Sequence, residues 1–140
     1  MKEKLVFPKK YTKRGNFKLH SGRYSDVLYD VNDMLANKKY RDWIRDKLCR
    51  YYGASSQYVG IATGGAIIVS SMKKFAMIKD GELKGTVKGI YCLVDDVCTT
   101  EKSIRDAIEL IGHTPELIFT VVDRRKEKKL VINSIYNIKE

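Results

Sequence analysis

Two adjacent carboxylates, Asp95 and Asp96, stand between the apolar run Ile90, Tyr91, Cys92, Leu93, Val94 and a hydroxyl-rich stretch containing Thr99, Thr100 and Ser103. The run has no polar alternation, as expected of a strand buried on both faces. Beyond it, Ile104, Ala107, Ile108 and Ile111 recur at the spacing of one helix face. Carboxylates at the carboxyl end of a strand can accept hydrogen bonds from sugar hydroxyls or hold a hydrated Mg²⁺. The first N–H groups of a helix lack partners and carry partial positive charge, so the turn between strand and helix can hold a phosphate. A phosphorylated ribose satisfies both halves. The same residues also suit a plain helix cap beside two solvated aspartates.

Two further stretches carry related chemistry. Gln57 to Ala62 reads as a strand, Thr63-Gly64-Gly65 as a turn, and Ala66 to Met72 as a buried helix. Glycines let consecutive backbone N–H groups face one concavity, although Gly-Gly also occurs in ordinary turns. Glu116 to Val122 reads as a strand ending in Asp123-Arg124. An arginine there can meet a carboxylate with two parallel hydrogen bonds.

The stretch Val94-Asp95-Asp96-Val97-Cys98-Thr99-Thr100-Glu101-Lys102-Ser103 resembles the ribose-phosphate signature of type I phosphoribosyltransferases. It departs from that signature at Glu101 and Lys102, where the family usually has small residues. Phe17-Lys18-Leu19-His20-Ser21-Gly22-Arg23, followed by Val27-Leu28-Tyr29-Asp30, is similar to the substrate segment of the orotate members. The resemblance implies that Asp95 and Asp96 hold the ribose hydroxyls. Thr99, Thr100, Glu101, Lys102 and Ser103 then form the 5-phosphate turn, and Thr63, Gly64 and Gly65 the pyrophosphate turn. His20, Tyr29 and Arg124 fall on the orotate side. Lys79 and Lys84, within a polar Gly-rich segment, are the candidate catalytic lysines of a closing loop.

The elements that must position these groups alternate strand and helix, which argues a mostly parallel sheet with helices on both faces. A helix is predicted from Asn37 to Tyr52, with Tyr40, Trp43, Ile44, Leu48 and Tyr51 on one face and Gly53 as its stop. Phe75 to Ile78 is a short strand, the polar segment after it a loop or loose hairpin, and Leu130 to Ile138 a final strand. Residues 1–14 are basic, contain Pro8, and are expected to be irregular or an edge.

At 140 residues the chain is expected to form one domain, with residues 1–35 as a small hood over the base. No apolar stretch is long enough to span a bilayer and no signal core is evident, so a soluble cytoplasmic protein is expected. Cys49, Cys92 and Cys98 lack metal-ligand spacing and are expected to be core thiols. The net charge of +10, from 27 basic and 17 acidic residues, suits an anionic substrate and equally suits nucleic acid.

The resulting expectation is an α/β, type I phosphoribosyltransferase-like domain. It would transfer phosphoribosyl from phosphoribosyl pyrophosphate to orotate, with Mg²⁺ as cofactor and a homodimer as the assembly. No protein metal ligand is assigned beyond Asp95 and Asp96. The alternatives are a family member acting on another base, and a non-catalytic relative that binds ribose phosphates and nucleic acid.

Overall fold

The computed structural model describes residues 5–53 and 56–139. Residues 1–4, with which the basic N-terminal segment and the expected hood begin, lie outside the described residues. Among those described, the strands form two sheets. The smaller is an antiparallel hairpin of β1 (Thr12–Lys18) and β2 (Tyr24–Tyr29). Residues 12–14 are therefore edge strand, one of the two alternatives expected for this segment. Pairing across the hairpin (Thr12 with Tyr29, Arg14 with Val27) orders the stretch despite its polar sequence.

The larger sheet is built on five parallel strands. They are β3 (Gln57–Ile61), β4 (Lys74–Lys79), β6 (Cys92–Cys98), β7 (Leu117–Asp123) and β8 (Asn133–Asn137). A short antiparallel edge, β5 (Glu82–Lys84), completes the order β5-β4-β3-β6-β7-β8. The chain moves outward from β3 to β4, then returns to the other side of β3 as β6. The order thus reverses between β3 and β6, and an open parallel sheet leaves a ligand crevice there, outside the strand ends.

Helices cover both faces, as the strand–helix alternation requires. α1 (Val31–Leu35), α2 (Lys38–Tyr52) and α3 (Gly64–Val69) pack on one face, α4 (Lys102–Ile111) on the other. Side chains alternate along a strand. Cys92 and Val94 therefore join the core with Met34, Leu35, Ile44, Leu48 and Ile68, while Leu93 joins Ile104 and Ala107 below α4.

Asn37 caps α2 by accepting from the Lys39 N–H at 3.0 Å, and Gly53, at φ +83°, closes it by donating to the Cys49 carbonyl at 2.9 Å. Arg45 on α2 donates to the Ile67 carbonyl at 2.7 Å and the Ile68 carbonyl at 3.0 Å. These bonds satisfy groups at the end of α3 and fix the two helices together. α1 was not anticipated. It is capped by Asp30, which accepts from the Asp33 N–H at 3.0 Å.

α3 meets the sheet without clearance. A Cβ on Gly65 would stand 2.3 Å from the Val94 carbonyl oxygen, and one on Gly64 would stand 2.6 Å from Cβ of Asp96. The Gly65 obstacle is backbone and cannot rotate away. Gly65→Ala is therefore expected to cost about 1–3 kcal/mol or more through overpacking, read as a lower urea midpoint. An unchanged midpoint would mean that α3 tolerates displacement from β6.

Candidate functional site: a crevice at the strand reversal

A cavity of about 360 Å³ opens where β3 and β6 diverge. Its floor comes from Ala62 and Thr63 after β3, and from Asp95, Asp96 and Thr99 at the end of β6; Ser103 of α4 closes one side. Lys79 lines it from the end of β4. The β1–β2 hairpin overhangs it with His20 and Tyr29, and Arg124 reaches it from the end of β7. Nine of the expected site residues thus share one cavity, drawn from three strands (β2, β4 and β6), α4 and the connecting segments.

The acids lie inside β6, not beyond its end, because pairing to β7 continues through Val97 with Val122 and Cys98 with Asp123. Asp95 Oδ1 accepts from the Asp96 N–H at 2.8 Å, and Asp96 Oδ1 accepts from the Val97 N–H at 2.7 Å. Both side chains are thereby fixed by their own backbone. Burial pushes the Asp95 carboxyl well above the usual carboxylate range, and the charge of Asp96 pushes it the same way. Sugar hydroxyl donors or a cation would favour its ionised form.

The donor set bears on Mg²⁺ directly. No group of three or more metal-ligating side chains occurs among the described residues. Mg²⁺ keeps much of its water and is commonly held by one or two carboxylates plus substrate phosphates. Asp95 and Asp96, side by side in one cavity, fit that requirement.

Arg124 is fully buried, and its guanidinium is committed to the hood. It donates to the Val27 carbonyl at 3.0 Å and to Ser25 Oγ at 2.9 Å, and lies 4.8 Å from the centre of the Tyr29 ring. It therefore fastens the hairpin over the crevice as well as lining it.

Several expected residues fall elsewhere. Lys84 lies on β5, pairs with Glu82 at 2.7 Å and does not line the cavity. The antiparallel β4–β5 register carries it back from the strand end that holds Lys79. Gly64 and Gly65 begin α3 behind Thr63; a side chain on Gly65 would strike the β6 backbone, and one on Gly64 would strike the Asp96 and Asn32 side chains that line the cavity. Thr100 and Lys102 line a neighbouring basic cavity with Lys126 and Lys129; the Lys102 ammonium pairs with Asp106 at 2.7 Å.

Glu101 departs furthest from expectation. Its carboxylate turns away from the crevice and is buried against Arg125 at 2.6 Å, with Arg105 also at 2.6 Å. It also accepts from the Lys129 and Leu130 N–H groups at 2.7 and 2.9 Å. Burial alone would raise its pKa, but these amides and guanidinium groups outweigh that and hold it at about 2. Glu101 is thus an anchor beneath the turn and does not line the crevice.

Sequence reasoning missed Lys18, Asn32 and Asp80, which also line the cavity. Lys18 was within reach, since it alternates with Phe17 and Leu19 in the hairpin motif beside His20. Asn32 was not, because it sits on the unanticipated α1.

A parallel sheet of this order, with a hairpin hood and an acid pair at the reversal point, defines the type I phosphoribosyltransferase fold. The structure of adenine phosphoribosyltransferase from Leishmania donovani shares it, with a TM-score of 0.56, 16% identity, and coverage of 83% of this chain and 66% of that one. No family model matches the chain. Orotate phosphoribosyltransferase of Aeropyrum pernix is 33% identical over 132 residues, covering 79% of this chain and 71% of the relative. A crystal structure of orotate phosphoribosyltransferase from the same organism superposes with a TM-score of 0.67 at 32% identity, over 82% of this chain and 77% of that one. The chain belongs to the orotate phosphoribosyltransferase family.

Proposed function

We propose that the protein transfers a phosphoribosyl group from phosphoribosyl pyrophosphate to orotate, forming orotidine 5′-phosphate and pyrophosphate. The observation that carries this reading is the meeting of Asp95 and Asp96 with Thr99 and Ser103 in one cavity beneath the His20–Tyr29–Arg124 hood. In the transfer, the bond from C1 of ribose to the pyrophosphate oxygen breaks and its electron pair leaves with pyrophosphate. An orotate ring nitrogen supplies the pair for the new bond and gives up its proton to the released pyrophosphate, and C1 acquires oxocarbenium character between the two. No protein nucleophile is needed, so the chain contributes positioning and charge stabilisation.

Asp95 and Asp96 hold the ribose hydroxyls, and Thr99 and Ser103 meet the 5-phosphate at the start of α4. Lys79 and Thr63 face the departing pyrophosphate, while His20 and Tyr29 border the base. A bound Mg²⁺ would lie at Asp95 and Asp96 and neutralise phosphate charge. The reading includes a homodimer, in which a second copy could supply the further basic group that Lys84 does not. No helix among the described residues is long and apolar enough to cross a membrane. Cys49, Cys92 and Cys98 are free thiols, which suits a reducing cytoplasm.

The test is to mix protein, Mg²⁺, phosphoribosyl pyrophosphate and one base at a time, and to follow the base's absorbance. Orotate is expected to be consumed, and adenine and uracil are not. Ribose-phosphate binding without turnover of any base would reduce the protein to a sensor of ribose phosphates.

A further inference from the structure

Glu101 lies in the turn that the functional reading assigns to the 5-phosphate, where a carboxylate would repel the ligand. The structure resolves this by giving the carboxylate other partners. One oxygen meets Arg105, and the other receives Arg125 and the N–H groups of Lys129 and Leu130. Arg125 is itself gripped by Asp123, through Nε at 2.9 Å and Nη2 at 2.7 Å. The result is a buried chain of alternating charge from the end of β7, through Arg125, to the first residue before α4. It ties the turn 99–103 to the segment 126–130, which connects β7 to β8. That segment carries Lys126 and Lys129, which face Thr99, Thr100 and Lys102 across a cavity of about 420 Å³.

Resting on the proposed function, we propose that Glu101 is a positioning residue for phosphoribosyl pyrophosphate. It fixes the phosphate turn against the β7–β8 connection and holds Lys126 and Lys129 beside that turn. The mechanism needs the reach of the carboxylate and tolerates its charge. Its reach brings one oxygen to two successive amides, and its charge is cancelled by Arg105 and Arg125, leaving the lysines to set the field at the turn. A turn held to a fraction of an ångström orients the ribose ester, and misplacement of about 1 Å can cost about 10²-fold in rate.

Three variants test this: Glu101→Ala, Glu101→Asp and Glu101→Gln. Aspartate keeps the charge but is one methylene too short to span Arg105 and both amides. Glutamine keeps the length and one carbonyl acceptor. At a temperature well below unfolding, Glu101→Ala and Glu101→Asp are expected to raise the KM for phosphoribosyl pyrophosphate about tenfold or more. The Kd for ribose 5-phosphate by calorimetry should rise in parallel, with the KM for orotate unchanged. Glu101→Gln should lie within about threefold of wild type in both.

If Glu101→Ala fails to fold, Glu101→Asp carries the comparison. Folded variants with reduced thermal stability but unchanged ribose 5-phosphate affinity would overturn the proposal, since Glu101 would then be structural only. Equal increases in both substrates' KM would overturn it as well. Wild-type protein that binds ribose 5-phosphate but turns over no base leaves the positioning test intact and removes the functional reading. Wild-type protein that does not bind it at all removes both.

Discussion

Turnover of an Asp95→Asn, Asp96→Asn double variant is expected to fall by at least about 10³-fold, because groups aimed at the reacting sugar act where charge develops. Its stability should hold or improve. The two carboxylates are adjacent and bonded to successive backbone amides, and the one at Asp95 is buried. Asparagine keeps an oxygen for each of those amides while removing the mutual repulsion.

The pH behaviour follows from the direction of the Asp95 shift. A carboxyl whose folded pKa is raised favours folding fully below its ordinary value of 3.8, and that contribution is lost as pH rises through the folded value. The wild type should therefore lose some stability across that window, and the double variant should not. Orotate consumption and urea midpoints at several pH values measure both effects. Unchanged turnover would contradict the ribose assignment, and collapse of the fold would show that the acids are structural.

The second large effect is expected at Arg125. It is almost completely buried between Asp123 and Glu101, whose side chains are also buried. Arg125→Met keeps the apolar volume but leaves two carboxylates without their common partner. Removal of one member of a buried ion pair costs about 3–5 kcal/mol, and here one substitution takes the main partner of Asp123 and one of the partners of Glu101, which keeps Arg105 and two amides. The opposite substitutions, taken together with Arg125→Met, should recover stability. The triple variant with Glu101→Gln and Asp123→Asn is thus expected to be more stable than Arg125→Met alone.

Acid gives an independent view of the same cluster. Glu101 is held at about 2, below its ordinary value of 4.5. The stability it contributes is present above 4.5 and is lost as pH falls toward 2, and the lowered pKa of Asp123 works in the same direction. The urea midpoint of wild type should fall across that range, and that of Arg125→Met should change less. A midpoint equally sensitive in both proteins would mean that the cluster does not govern acid stability.

What could be read from the chain divides by the range of the interactions concerned. The strand–acid–turn–helix unit was legible because its signals are local: an unbroken apolar run, then spacing of i, i+3, i+4 and i+7. The second helix was equally plain, since Asn37, the apolar stripe and Gly53 all lie within one window. The conformation of Glu101 was not legible, because Arg125, Lys129 and Leu130 lie 24 to 29 positions downstream and meet it only after β7 has formed. Gly64 and Gly65 were expected in a turn, but they begin α3, and their need for glycine has a cause beyond the local sequence. Nothing near them in the chain reveals that Val94 and Asp96 would crowd a side chain there. Lys79 and Lys84 have equivalent local signals, and only the β4–β5 pairing separates them.

Among the described residues the hairpin of β1 and β2 shares no strand pairing with the main sheet, and Arg124 links it to the end of β7. Under the proposed function, sugar-ester recognition and acceptor choice reside on separately hydrogen-bonded platforms. The hairpin tip can drift in residue type without disturbing the parallel strands, provided the arginine linking the platforms persists. Under that reading, altered base preference is an edit to one ribbon, whereas loss of the donor substrate follows from a change in the sheet or in the turns that leave it.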